Sequence, residues 1–283
     1  GSYVKQSRVG GGSDSKFIVK EHEYCLVYGK NTDASPEMFV RHDDDYLKRY
    51  KEQDKKGRFF WDTFARPGLK NPIHYDITAP DGTVMNYGWI HSKDRYEQEI
   101  KDGIVRIVPK PGGGWSVQFK QYLNISGKKP RSMTMDFGGS IEGKNDIGEL
   151  FDSEKIFSYP KSSKYISTLF STLPDRNAII LDFFSGSGTT AHAVMKLNAE
   201  DGGHRKFIMV QLPEACPEEG EAYKAGYRTI CEIGKERIRR AGMKVKEENA
   251  ITAPDLDVGF RVLKLDSTNM KDVYYNPAST RQE

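Results

Sequence analysis

Apolar residues are spaced differently in the two halves of the chain. From Asn31 to about Asn145 the apolar runs are short, and turn signals such as Pro80-Asp81-Gly82-Thr83 interrupt them. This pattern predicts a separate module of short strands with one amphipathic helix near Asp44 to Lys55. Ahead of the module, a flexible loop at Gly10 to Ser13 leads into Phe17 to Tyr28, which is rich in β-forming residues. That run predicts a buried or half-buried strand or strand pair.

After Asp146 the pattern becomes regular, with helical periodicity alternating with short apolar runs. The predicted elements are, in order, a helix (Tyr165 to Leu173), a strand (Ala178 to Phe183), a helix (Thr189 to Asn198), a strand (Lys206 to Leu212) and a helix (Tyr223 to Ala241). A strand, a helix and a second strand in this order form a βαβ unit with a parallel crossover. The sequence therefore predicts an α/β fold here.

Composition excludes several classes of protein and favours none. The chain has 283 residues and a formal charge of +3, from 43 Lys plus Arg and 40 Asp plus Glu, too small an excess to diagnose nucleic-acid binding. Cys25, Cys216 and Cys231 lack CxxC spacing, so neither a zinc site nor a disulfide framework is predicted. With no membrane-length apolar run and no secretion signal, we expect a cytoplasmic protein without membrane contact.

The candidate chemistry lies in Leu181 to Thr190, where the predicted strand Ala178 to Phe183 ends and the predicted helix Thr189 to Asn198 begins. Gly186 and Gly188 let the backbone turn sharply and approach a ligand, at the edge where open α/β sheets bind nucleotides. A P-loop is excluded because the Gly-Lys-Ser/Thr ending is missing. Gly186-x-Gly188-x-x-Ala191 does satisfy the loose dinucleotide fingerprint. Asp182, however, can accept a hydrogen bond from an ammonium group, which S-adenosylmethionine has and NAD lacks.

The segment from Asp182 to Thr190, with Tyr159-Pro160-Lys161 ahead of it, resembles the cofactor motifs of β-class amino-methyltransferases of DNA. Further segments resemble one family of that class, the modification (Mod) subunits of type III restriction-modification systems: Phe157 to Lys161, Thr189 to Val194, Leu197 to Gly203, Arg205 to Ile208 and Ala79 to Thr83. The resemblance implies a truncated Rossmann-like methyltransferase sheet with an inserted mixed α+β target-recognition module. It divides the chain into the end of the catalytic region (1–31), that module (32–145), the cofactor-binding βαβ region (146–215) and a C-terminal helical and extended region (216–283).

The resemblance also implies a binding site for S-adenosylmethionine and no metal. Asp182 would hold the amino group of the cofactor, and Lys161 would close the pocket opposite. The surrounding turn would consist of Phe183, Phe184, Gly186, Ser187, Gly188 and Thr189. Gln211, with Glu214 three residues later, would contact the ribose hydroxyls; the alternative is a strand-end side chain facing water. His192 is interpreted as a helix side chain without chemistry.

Charged residues suggest two further contacts. The helix ending near Ala241 carries a basic group that either faces solvent or contacts phosphates: Lys235, Arg237, Arg239 and Arg240. The module carries basic and aromatic residues in a mixture suited to phosphates and an exposed base: Arg41, Lys48, Arg49, Lys51, Lys55, Lys56, Arg58, Phe59, Phe60 and Trp61. The alternative for each residue is a solvated or core role.

The catalytic Asp-Pro-Pro-Tyr-type segment of such enzymes, which holds a flipped adenine, is missing. No Pro-Pro pair occurs, and the nearest lookalike, Tyr275-Asn-Pro-Ala278, lies on the wrong side of the cofactor motif. We therefore expect the catalytic residues upstream of Gly1 and little methyl transfer by this chain alone. The implied function is site-specific adenine-N6 methylation of double-stranded DNA, with a second Mod subunit and a restriction (Res) subunit as partners. The alternatives are a DNA- or partner-binding module without chemistry and an NAD-dependent oxidoreductase.

Overall fold

The computed structural model of the protein describes residues 1–7, 16–66, 68–134 and 137–265. Two compact units divide the chain. The first unit contains Gly1–Tyr3, Cys25–Met133 and Ser171–Pro174; the second contains Val4–Tyr24, Thr134–Phe170 and Asp175–Glu283. The loop predicted at Gly10 to Ser13 and the lookalike segment at Tyr275 to Ala278 lie outside the described residues.

Strands and helices alternate irregularly along the described chain. The strands are β1 (Ser2–Gln6), β2 (His22–Leu26), β3 (Glu52–Asp54), β4 (Gly57–Thr63), β5 (Ile77–Thr78), β6 (Val84–Met85), β7 (Val105–Pro109), β8 (Trp115–Tyr122), β9 (Met133–Thr134), β10 (Ile179–Asp182) and β11 (Lys206–Met209). The helices are α1 (Asp44–Leu47), α2 (Lys93–Lys101), α3 (Ser140–Phe151), a 3₁₀ turn (Glu154–Ile156), α4 (Ser163–Ser171), α5 (Thr189–Asp201), α6 (Glu221–Lys224) and α7 (Ile230–Glu248). Strands β2, β1 and β9 form a three-stranded sheet in that order.

The first unit is built on an antiparallel sheet with the strand order β3-β4-β8-β7. Val117 and Phe119 of β8 alternate with less buried residues, the period expected of a strand with one face against a core. That core also contains the fully buried Phe64 and Trp89. The mixed α+β content expected of this region is present.

The helix predicted from Asp44 to Lys55 is wrong beyond its first turn. Helix α1 ends at Leu47, and residues 52–54 form β3 instead. Arg58 causes the early end, because its guanidinium takes the Leu47 and Tyr50 carbonyls that a longer helix would use internally.

The second unit contains the predicted βαβ unit. Strands β10 and β11 are parallel, with Ile179 paired to Lys206 and Asp182 paired to Met209, and α5 is the crossover. Helix α5 has a long buried face, and Ala191 and Met195 join a core shared with α3 and α7. The prediction of an α/β arrangement with a parallel pair is confirmed.

Two predictions near the ends differ from the structure. The helix predicted from Tyr223 to Ala241 is two helices, because α6 ends at Lys224 and α7 begins anew at Ile230. Glu232 accepts the backbone N–H of Thr229 and so caps the new start.

The strand predicted from Phe17 to Tyr28 is only β2, and its predicted burial is wrong, since Tyr24 and Leu26 are each 61% exposed. Strand propensity reflects how well side chains suit a pleated, half-buried surface, and it does not show whether another element covers the strand.

One face of the β10–β11 pair is apolar and exposed. Every second residue of the two strands, and of the segments that continue them, lies on this face: Ile179, Leu181, Phe183, Ile208, Val210 and Leu212. Parallel sheets usually carry covering elements on both faces. No helix of the described residues has the length and apolar composition needed to cross a membrane.

Candidate functional site

The Gly-rich turn, residues 183–188, connects the end of β10 to the start of α5. Gly186 and Gly188 have φ values of +51° and +80°, in the left-handed region that side chains disfavour. Position 188 also leaves little room for a side chain, since a Cβ there would lie 3.1 Å from the Gly234 carbonyl oxygen of α7. The turn is therefore both tightly wound and packed against a helix.

Asp182 holds the turn through both carboxylate oxygens. Oδ1 accepts the backbone N–H of Phe184 at 3.2 Å, and Oδ2 accepts the Thr190 hydroxyl at 2.6 Å. Each oxygen keeps a second lone pair for a ligand. The adjacent rings of Phe183 and Phe184 are 61% and 84% exposed.

Gln211 contacts the turn directly. Its Oε1 accepts the backbone N–H of Gly186 at 2.7 Å, so the amide oxygen is engaged and does not simply face water. Gln211 does not line the cavity described below. Its contact with a ribose stays a prediction.

Lys161 stands on a second segment, which we call the Lys161 wall (residues 157–163). Its Nζ lies 3.0 Å from Glu23 Oε2, and this bond lowers the pKa of the Glu23 carboxyl. The Lys161 carbonyl oxygen accepts the Thr189 hydroxyl at 3.3 Å. A hydrogen bond therefore joins the Lys161 wall to the start of α5.

A cavity of about 720 Å³ lies within the second unit, a size typical of small-molecule sites. Six of the predicted site residues line it: Lys161, Asp182, Phe184, Gly186, Ser187 and Thr189. Phe183, Gly188 and Gln211 do not. The structure adds residues that sequence reasoning missed, among them Cys216, Pro217, Glu221 and Ile230. They follow β11 in a stretch without a recognisable motif, so only folding brings them to the turn.

Arg237 of α7 lies behind the turn and is completely buried. Its Nη1 donates to Ser187 Oγ at 2.8 Å and to Thr189 Oγ1 at 2.7 Å, while Nη2 lies 3.5 Å from Asp146 Oδ2. Burial lowers the pKa of Arg237 to about 10, which leaves it charged at neutral pH. Neither predicted role, solvent exposure or phosphate contact, is correct for this residue.

Other members of the basic group and His192 lie elsewhere. Arg239 and Arg240 pair with Glu236 on the same helix. His192 is buried and lies outside the cavity, and burial beside Arg237 holds its pKa well below the usual range. A neutral, buried imidazole away from the cavity agrees with the interpretation of His192 as a helix side chain.

The basic and aromatic residues of the first unit separate into structural and exposed groups. Phe59 is 4% exposed, Arg58 binds two backbone carbonyls, Lys48 pairs with Asp45, and Trp61 lies under Arg106 at 3.9 Å. The exposed basic residues of the set include Arg41, Lys51, Lys55 and Lys56. Lys55 and Lys56 form the tip of the β3–β4 hairpin.

Comparison with known proteins gives the family of this chain. The family described as DNA methylase matches residues 3–241. The chain belongs to this DNA methylase family. It is 34% identical over 258 residues to the Mod subunit of the type III restriction-modification enzyme StyLTI of Salmonella typhimurium, an alignment covering 88% of this methylase chain and 38% of the relative.

Two more relatives agree. The chain is 31% identical over 227 residues to the EcoP15I Mod subunit of Escherichia coli, covering 77% of the chain and 33% of the relative. It is 28% identical over 268 residues to the type II methyltransferase M.KpnI of Klebsiella pneumoniae, covering 83% and 60%. The resemblance to Mod subunits is confirmed, and the methylase chain spans 33–60% of the length of these relatives.

Proposed function

We propose that this chain is the part of a site-specific DNA adenine-N6 methyltransferase, in a restriction-modification system, that binds S-adenosylmethionine and contacts DNA. The observation that carries the proposal is the cavity in which a Gly-rich turn, with an acid at the strand tip, faces a lysine-bearing wall. Membership of the DNA methylase family supports the reaction class.

The residues of the cavity fit S-adenosylmethionine, which supplies a methyl group on a sulfonium. Two hydrogen bonds fix the Asp182 carboxylate at the cavity wall, with lone pairs left for the cofactor's ammonium. Phe184, Pro217 and Ile230 supply apolar surface suited to adenine. Glu221 also lines the cavity and is a second acceptor, besides the predicted Gln211, for ribose hydroxyls.

We propose that the remaining catalytic parts belong to the whole protein and lie outside this sequence. An exocyclic amine needs its base flipped and its amino group held by hydrogen bonds before it attacks a methyl group. The Pro-Pro segment that would do this does not occur in these residues. Likewise, β10 and β11 are two strands of a Rossmann-like sheet, whose further elements cover the apolar face.

The proposed partners follow from the same assignment. The whole enzyme acts on double-stranded DNA in the cytoplasm, with a second Mod subunit and a Res subunit. In this chain, residues 32–145 are the proposed target-recognition module, followed by the cofactor-binding region and the C-terminal region.

Isothermal titration with S-adenosylhomocysteine tests the cofactor site, with 5′-methylthioadenosine as a ligand that lacks the amino-acid moiety. Asp182→Asn removes the charge but keeps one oxygen for Phe184 and a donor for Thr190. We expect this variant to weaken S-adenosylhomocysteine at least about tenfold, as for a charged hydrogen bond, and to leave 5′-methylthioadenosine nearly unchanged. Thr190→Val is the matched control, because it loses the turn bond and keeps the charge.

Three outcomes count against the proposal. If Asp182→Asn weakened the binding of both ligands equally, Asp182 would not be the residue that binds the ammonium group. Tight NADH binding without S-adenosylhomocysteine binding would favour an oxidoreductase. DNA binding by a folded chain that binds neither ligand would favour a recognition module without chemistry.

A further inference from the structure

Helix α7 meets the Gly-rich turn through two residues one helical turn apart. Gly234 allows close approach, since a Cβ there would lie 3.2 Å from the Gly186 carbonyl oxygen. Arg237 then reaches the two hydroxyls of Ser187 and Thr189. Both hydroxyls are thereby engaged from behind, and the Ser187 side chain is almost fully buried.

The same guanidinium also connects to the Lys161 wall by two routes. Thr189 accepts from Arg237 and donates to the Lys161 carbonyl, which is one route. The other passes through Asp146, whose carboxylate lies 3.5 Å from Arg237 and accepts both the backbone N–H and the hydroxyl of Ser163, at 2.7 and 3.0 Å. Ser163 is the first residue of α4 and the last of the Lys161 wall.

The chemistry of arginine suits this position. A guanidinium is planar, and its separate N–H groups point at several acceptors in fixed directions, whereas a lysine ammonium acts from a single point. Here Nη1 serves the turn and Nη2 faces Asp146. A buried ion pair is weak evidence of stabilisation, because apolar residues of similar volume often stabilise a core equally well. The directed hydrogen bonds are what such a replacement would lose.

We propose that Arg237 is a positioning residue that holds the Gly-rich turn and the Lys161 wall at a fixed spacing, and so preforms the cavity. The role in cofactor binding rests on the proposed function; the role in fixing the two walls does not. Arg237 acts through Ser187, Thr189 and Asp146 and does not itself line the cavity.

Amide hydrogen exchange, read by mass spectrometry on the ligand-free chain, tests the spacing. The main variant combines Arg237→Met with Asp146→Asn, which removes the buried guanidinium charge and its partly buried carboxylate partner and keeps an acceptor for Ser163. We expect peptides from residues 183–190 and from 157–164 to exchange at least about tenfold faster together. Thr189→Val keeps both charges and should speed amide exchange in both peptides by a smaller factor. It replaces the double variant in the test if that variant folds poorly.

Val245→Ala is the matched control, because Val245 is buried on the same helix two turns beyond Arg237 and its side chain takes no part in these hydrogen bonds. It should lower the melting temperature without selective acceleration of the two peptides. Acceleration of only one wall, no acceleration, or the same pattern in Val245→Ala would overturn the proposal. Rescue of protection by Arg237→Lys to the wild-type level would also contradict it, because a lysine ammonium lacks the two directed N–H groups of the guanidinium.

Titration with S-adenosylhomocysteine separates this inference from the proposed function. If the wild-type chain binds, the double variant should bind at least about tenfold more weakly, and undiminished affinity would overturn the positioning role. If the wild-type chain does not bind, the cofactor proposal fails, and hydrogen exchange still decides whether Arg237 couples the two walls.

Discussion

At the scale of single residues, Gln211 shows how a strand-end side chain can serve the backbone. The left-handed turn leaves the Gly186 N–H without a helical partner, and the Gln211 amide oxygen accepts it at 2.7 Å. We predict that Gln211→Met weakens S-adenosylhomocysteine binding about five- to tenfold, the value of one neutral hydrogen bond. Gln211→Glu keeps the acceptor and should bind nearly as the wild type, as measured by titration.

A ribose contact by Gln211 would give a different pattern. In that case the loss in Gln211→Met would disappear with a 2′-deoxy analogue of the ligand, because the hydroxyl is already missing. If Gln211 instead holds the turn, the loss should be the same with both ligands.

His192 makes stability depend on pH. Its pKa is lowered in the folded protein by burial and by Arg237, so the unfolded chain binds a proton more readily. The free energy of unfolding should therefore decrease as the pH falls below about 6.5, by up to about 1.4 kcal/mol per pH unit. We predict that His192→Gln loses less stability than the wild type between pH 7.5 and 5.5 in denaturant titrations. Identical losses would contradict this origin.

Asp182 and Arg237 mark the limits of prediction from sequence. Asp182 and the two glycines belong to one continuous segment, so local chemistry was enough to bring them together. Arg237 acts across 48 residues on Thr189. A signal existed, because Arg237 falls in the stripe of buried residues on α7 that includes Ile233, Ile238 and Ala241. A basic cluster was the more conspicuous pattern and gave the wrong interpretation.

At the scale of elements, the contact of α7 with the turn predicts an unusual glycine effect. Alanine normally favours a helix by about 1 kcal/mol over glycine. At Gly234 the new Cβ would press on the Gly186 carbonyl, part of a backbone that cannot rotate away. We predict that Gly234→Ala lowers stability by about 1–3 kcal/mol and weakens S-adenosylhomocysteine binding.

Gly148 of α3 is the matched control. Its Cβ would lie 3.0 Å from Cγ of Glu154, a flexible side chain that can move aside. Thermal melts should show Gly148→Ala at or above wild-type stability. A stabilised Gly234→Ala with full ligand affinity would mean that α7 does not restrain the turn.

The β3–β4 hairpin of the first unit carries the clearest test of DNA contact. Lys55 and Lys56 are exposed at its tip, whereas Arg58 and Phe59 serve the fold. If both lysines meet phosphates, replacing them with alanine should reduce the slope of log affinity against log salt by about two. Fluorescence anisotropy with duplex DNA measures that slope.

Replacing Lys93 and Lys101 of α2 with alanine provides the control, since this change removes the same charge from another element of the first unit. An equal change in both pairs would indicate a general charge effect. No change in the hairpin variant would exclude this tip from the DNA contact.

At the scale of the whole molecule, regular periodicity was a better guide than local propensity. The βαβ unit was predicted correctly because its alternation of strand and helix repeats over some 35 residues. In the first unit, side chains distant in sequence decide the elements. Asp54 binds Lys120 and Tyr122 of β8, which fixes residues 52–54 as a strand where the local pattern had predicted a helix.

The exposed face of β10 and β11 should behave differently in this chain and in the whole protein. Leu181 and Ile208 are direct neighbours on that face and are 57% and 50% exposed. We predict that replacing both with threonine changes the stability of this chain by less than about 1 kcal/mol, as for surface positions. If the proposed covering elements bury the face in the whole protein, the same change should cost about 1.5 kcal/mol or more per residue there.

Parallel denaturant titrations of the two proteins measure this difference. Lys101 of α2 is an exposed residue of the first unit and does not belong to this sheet, so Lys101→Thr should have the same small effect in both proteins. Equal, small effects of the apolar pair in both proteins would mean that the face stays in water, and the proposed Rossmann-like sheet would lose its support. A selective loss in the whole protein would place this face inside the methyltransferase core, because only buried apolar side chains lose stability on exchange for threonine.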